Sequence, residues 1–264
     1  MNGTSRLERL LKTDRAVVTA GLAAVAVVAW VYMVHEARAM ANTGVCQCAG
    51  IKMSGPDMQS WGGMELSGLF LMWAEMMVAM MVPSAAPMIL MFAAVNRKRR
   101  EQERPFVPTG VFLLGYLVVW IVFSAVAAVA QWSLHATALL SPMMVSTSPL
   151  LGGALLVAAG VFQWTPLKNV CLTHCRSPLS FLMTDWRDGK LGAFAMGIKH
   201  GAFCAGCCWV LMLLLFVAGV MNVLWIAALT ALVLLEKIVP KGLWVGRVAG
   251  LLLIGWGVWM VAVR

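Results

Sequence analysis

Apolar residues in this chain run in long blocks, broken by short charged or Gly/Pro-rich stretches. Blocks of about 20 apolar residues match the thickness of a bilayer core. They predict an all-α polytopic bundle, one transmembrane domain over residues 1–264, with about seven spans at 16–34, 64–94, 108–135, 150–164, 191–218, 221–239 and 248–263. The second block is long for one straight crossing, and Pro83 and Pro87 inside it are sites for a kink. Residues 36–63 read as an external loop, and Thr165 to Lys190 as a cytoplasmic one. Spans five and six are so close that they form a helical hairpin, with Asn222 as a cap in its turn.

Charge sets the orientation. Arg6, Arg9, Lys12 and Arg15 precede the first block, and Arg97-Lys98-Arg99-Arg100 close the second. Lys168, Arg176, Arg187, Lys190, Lys237, Lys241 and Arg247 fall on the same side of a seven-span path. Basic residues mark cytoplasmic loops, so the N-terminus is expected in the cytoplasm and the C-terminus outside a bacterial inner membrane. Ala37-Arg38-Ala39 resembles a signal-cleavage site, but the apolar stretch before it, about 19 residues, is long for a signal core, so the first block reads as a retained span.

Composition agrees. The chain is 61% hydrophobic and 12% charged, against about 25% charged in a soluble domain. The net charge of +9 would suggest nucleic acid in a soluble protein, but clustering in a few loops makes topology the better account, with the lipid bilayer as the partner. There is no phosphate-binding glycine loop, no Ser/His/Asp arrangement and no internal repeat. Seven Cys and 20 Met are what remains to be explained.

The densest chemistry is His200-Gly201-Ala202-Phe203-Cys204-Ala205-Gly206-Cys207-Cys208-Trp209. On a helix His200, Cys204 and Cys208 share one stripe, with Cys207 one turn from Cys204. Gly197, Gly201 and Gly206 would let neighbouring helices approach closely. Imidazole with thiolates is a soft set suited to Cu(I), with Zn(II) as the alternative; buried Cys is also simply a small hydrophobe. A second cluster is Cys171-Leu172-Thr173-His174-Cys175-Arg176. Cys171 and Cys175 would share a face, with His174 one turn from Cys171, and could close a tetrahedral site with the first cluster. Lys168 and Arg176 would favour thiolates there, for metal binding or redox exchange.

Span two carries a Met72, Met76, Met80 stripe, with Met77, Met81 and Met88 beside it. Thioethers at Met76, Met80 and Met81 could form a Cu(I) path, or fill core space. Glu75, inside the same span, is costly unless paired or protonated and so reads as functional, at a depth similar to that of the cysteines. Cys46 and Cys48 in the external loop could form a disulfide or an external capture site, fed by a periplasmic metal-binding protein. Gln131 and His135, at i, i+4, could make a polar contact or an entry ligand, and Glu236-Lys237 a local ion pair or snorkelling end.

Taken together, Met80-Met81-Val82-Pro83, Gln163-Trp164-Thr165-Pro166-Leu167-Lys168, Cys171 to Pro178, Gly197 to Trp209, Gly219-Val220-Met221-Asn222 and Glu236-Lys237 resemble a bacterial family of integral membrane proteins predicted to bind metal, of unknown function. The resemblance covers roughly residues 14–260 and implies a metal-binding membrane protein without an assigned reaction. The expected function is therefore soft-metal binding, most simply Cu(I), in transport, delivery or homeostasis. The rivals are a membrane thiol–disulfide oxidoreductase that relays electrons through the Cys pairs, and a metal-holding subunit of a larger membrane enzyme.

Overall fold

The computed structural model describes the backbone of residues 3–43, 46–48, 51–53, 63–103, 107–136 and 148–263, with side chains from residue 15 to 39 in the first helix and none in 46–53. Almost all of it is helical: α1 Gly3–Thr43, α2 Gly63–Glu101, α3 Thr109–Ala136, α4 Pro149–Phe162, α5 Pro166–Arg176, α6 Pro178–Thr184, α7 Gly189–Leu213, α8 Leu215–Ala218, α9 Val223–Ile238 and α10 Gly242–Ala262. Between α1 and α2 two three-residue strands, β1 Cys46–Cys48 and β2 Ile51–Met53, pair antiparallel with Cys46 opposite Met53.

Five helical stretches are long and apolar enough to cross a membrane: Arg15–Ala39, Gly63–Glu101, Thr109–His135, Gly189–Ala218 and Gly242–Ala262. A sixth is available if α4 and α5, bent by 63° at their junction, count as one broken span. Two of the seven expected spans are shorter than read from hydropathy. The helix of α4 has 14 residues and that of α9 has 16, or about 21 and 24 Å at 1.5 Å per residue. The first helix runs on to Thr43, so the expected loop is shorter than 36–63, and 165–190 is not open loop but two packed helices, α5 and α6.

Large apolar side chains remain exposed on the outer faces: Val27, Val28 and Val31 on α1, Val122 and Val126 on α3, Leu252 and Trp259 on α10. An outer surface this apolar suits a lipid environment.

The central helix is α2, packed against α1, α3 and α9. It continues unbroken through Pro83 and Pro87. Proline removes the N–H that would bond the carbonyl four residues earlier. For Pro83 that carbonyl belongs to Ala79, and Trp30 Nε1 of α1 donates to it at 3.0 Å. The helix therefore survives its proline because a neighbour satisfies the orphaned acceptor.

Helices α3 and α7 meet backbone to backbone. A Cβ on Gly197 would lie 2.1 Å from the Phe112 carbonyl oxygen, and one on Gly115 2.2 Å from that of Phe194. Only glycines allow this approach. The α7–α9 hairpin turns at Gly219, whose φ of 96° suits glycine, and Asn222 caps α9 by accepting from Trp225 N at 3.2 Å. At the far end of α2, Phe92 stacks between Phe112 and Trp186, and Arg99 pairs with Asp188. These contacts fix the start of α7.

Candidate functional site

Helix α7 turns His200, Cys204, Cys207 and Cys208 inward, all 3% exposed or less. Their spacing does this, since positions three and four apart share a face. The thiols of Cys207 and Cys208 both donate to the Cys204 carbonyl at 3.0 Å. This local back-bonding satisfies two S–H groups that have no water to turn to.

Cys204 is the centre of the cluster. From α3, the Tyr116 hydroxyl lies 3.2 Å from its Sγ and 2.9 Å from the Met81 carbonyl of α2. From α9, Lys237 Nζ donates to the same sulfur at 3.0 Å and to Ser84 Oγ at 2.9 Å. From α5, Cys175 brings a fourth thiol against those of Cys204 and Cys207, near enough to interact though not aligned as a formed hydrogen bond. Cys171, one turn earlier on α5, packs on α7 where Gly206 has no side chain; a Cβ there would be 2.8 Å from its Sγ. Cys171 and Cys175 thus share the face that meets α7. His174 meets α7 away from the thiols: its Nδ1 sits 2.9 Å from the Val170 carbonyl and its exposed ring stacks on Phe203 at 4.2 Å. His200 lies among Phe112, Tyr116 and Phe181, and its Nδ1 has no hydrogen-bond partner among the described residues.

Glu236 and Lys237 do not pair with each other, contrary to the sequence reading. Consecutive helical residues point about 100° apart. Glu236 instead takes both oxygens to Lys168 Nζ, at 2.8 and 2.7 Å, while Lys237 turns to sulfur. Arg176 donates to the Val239 and Pro240 carbonyls at 2.6 Å. The cations expected to bias the thiols, Lys168 and Arg176, are therefore engaged elsewhere, and Lys237 holds that position.

Glu75 stands apart from this cluster. It lies near Glu36 and Tyr32 of α1, and its Oε1 has no hydrogen-bond partner among the described residues. Ser84, which is level with Cys204, is nine residues further along α2, about 13 Å at helical rise. The similar depth expected for Glu75 and the cysteines is not what the packing gives. Met76, Met80 and Met81 are fully buried in α2, as are Met72 and Met88; of these, Met81 meets the cluster through its carbonyl. Gln131 accepts from Trp73 Nε1 at 2.6 Å, a polar contact between α2 and α3, and His135 is buried one turn further. The side chains of Cys46 and Cys48 lie outside the described residues.

Sequence reasoning missed Tyr116, Ser84 and the role of Lys237. Tyr116 is one of two tyrosines in the chain, and a hydroxyl in an otherwise apolar span was the available signal.

Among the described residues no three His, Cys, Asp or Glu side chains converge as a ready-made metal-holding group. The geometry explains this. Two of the thiols point back at the helix carbonyl, and all five described cysteines are free.

Fold and site together define a helical bundle with membrane-length apolar helices and a buried group of thiols from two helices. A family model described as PpoB2 copper chaperone matches residues 70–260. The chain belongs to that family, which agrees with the metal-related family its motifs resemble. No curated protein and no solved structure matches it.

Proposed function

We propose that the protein is an integral membrane copper handler of the bacterial inner membrane, which takes Cu(I) as cargo on Cys204, Cys207, Cys208 and Cys175 and passes it on by ligand exchange. The observation that carries this reading is the gathering around Cys204 of two thiols from its own helix and one from α5, with a cation at its side. Cu(I) is soft and is content with two or three sulfur ligands. His200, with its unpartnered Nδ1, is the nitrogen donor within the same stripe. Cys175 is the half-buried member of the set, so it is the ligand a partner's thiol would reach first. Cys171 and His174 extend the set toward the surface of α5. Met76, Met80 and Met81 offer a weaker thioether route along α2, and Glu75 is a separate carboxylate on it. Cys46 and Cys48 would be the capture site for a metal-carrying partner outside.

The protein purified from membranes should carry about one copper per chain, in line with the few-ligand sites of soft metals. Cys204→Ser with Cys207→Ser should remove it, as read by elemental analysis with thiol titration on the same sample. Unchanged copper content would sink the reading. The contact of Cys175 with Cys204 and Cys207 also favours a second reading, a thiol–disulfide exchanger. Mixed disulfides trapped in single-Cys variants, in protein free of metal, would support that one.

Our reading of the topology keeps the N-terminus in the cytoplasm and places the C-terminus outside, with α9 as a short sixth span and α10 as the seventh. A reporter fused after Arg264 should be active only outside the cytoplasm; cytoplasmic activity would remove α9 from the spans.

A further inference from the structure

We propose that Lys237 makes the thiol site select a monovalent soft cation over a divalent one; this rests on the copper reading above. Charge sets the preference. Two ammonium groups approach the cluster. That of Lys168 is neutralised in place, since both Glu236 oxygens receive it at 2.7 and 2.8 Å and both side chains are 1% exposed. That of Lys237 has no carboxylate partner among the described residues. It rests on a hydroxyl and a sulfur, Ser84 Oγ at 2.9 Å and Cys204 Sγ at 3.0 Å.

A cation bound to Cys204 would therefore sit within a few ångströms of an uncompensated positive charge. Repulsion between the two scales with the charge of the incoming ion, and water is too scarce there to screen it. Copper in its +1 state meets half the penalty of zinc in its +2 state. Once a singly charged ion is held by two thiolates, the complex is a monoanion and the ammonium balances it. A doubly charged ion on the same sulfurs leaves one negative charge fewer, so the ammonium stabilises it less. Ser84 itself is tied to α2 through the Met81 carbonyl at 2.9 Å. Selectivity that the sulfur donors alone do not supply, since thiolates also bind zinc well, comes from this side chain.

The test uses the full chain in detergent, with Cu(I) and Zn(II) affinities measured by competition against chromophoric chelators. Lys237→Met should raise Zn(II) affinity at least tenfold relative to Cu(I). Lys237→Arg, which keeps the charge, should retain the wild-type ratio. If the Met variant does not fold, Lys237→Gln keeps a donor for Ser84 Oγ without the charge and should shift the ratio the same way. A ratio unchanged in a folded neutral variant overturns the inference while leaving the copper reading intact. Failure of the wild-type chain to bind Cu(I) at Cys204 overturns both.

Discussion

Lys168 and Lys237 enter the same end of the bundle from different helices and meet different partners. Lys168 reaches a carboxylate 68 positions away and is closed off by it, both ends of the pair satisfied. Lys237 reaches a sulfur and a hydroxyl, groups that can exchange one partner for another. A buried ion pair of the first kind gains little net stability, yet breaking it is costly, because the surviving charge is left without compensation. A cation of the second kind leaves less behind when it is removed. The first lysine holds α5 to α9; the second attends the thiols.

The largest expected effect breaks the first arrangement. Glu236→Gln should lower stability by about 3–5 kcal/mol, because Lys168 is left charged and buried; Lys168→Met should cost a similar amount. Thermal unfolding in detergent reads both. Replacing the pair together, Lys168→Met with Glu236→Leu, should recover most of the loss. Next in size, Gly197→Ala should cost about 1–3 kcal/mol, since its Cβ would meet the Phe112 carbonyl oxygen at 2.1 Å. Removing the second lysine by Lys237→Met should cost about 1.5–3 kcal/mol, the scale of hydrogen bonds made by a charged group. An effect as large as that of Glu236→Gln would erase the distinction between the two lysines. Smallest, Tyr116→Phe should cost about 0.5–1.5 kcal/mol by removing the hydroxyl that bonds the Met81 carbonyl and meets Cys204 Sγ; unfolding midpoints in denaturant would resolve it.

What was legible in the sequence was local. The shared stripe of His200, Cys204 and Cys208, the face shared by Cys171 and Cys175, and the Asn222 cap all follow from helical spacing. The close approach at Gly197 was legible as well, because small residues in an apolar helix have few other uses. What was not legible depends on which helix lies beside which. No spacing rule joins Lys237 to Cys204, 33 positions apart, or Tyr116 to Cys204, 88 apart. The sequence left Glu236-Lys237 as a local ion pair or a snorkelling end; adjacent helical residues do not face each other, and the two find partners on other helices. Glu75 illustrates the same limit: its place in an apolar span marked it as unusual, but only packing could show that it faces Glu36 and not the cysteines.

Hydropathy found every long helix but overextended the short ones. The apolar run of α9 includes the turn that leads into it, and that of α4 runs to Trp164, past the helix end at Phe162. Apolar composition reports residence in lipid or core, whereas helix length depends on backbone bonds and on caps such as Ser148 and Asn222.

The central claim is that sulfur from α5 and α7 holds copper jointly around Cys204. X-ray absorption at the copper edge of the loaded protein tests it most directly. The account predicts a first shell dominated by sulfur, with fewer sulfur neighbours in Cys204→Ser and again in Cys175→Ser. A shell of nitrogen and oxygen, or a sulfur shell indifferent to both substitutions, would contradict it.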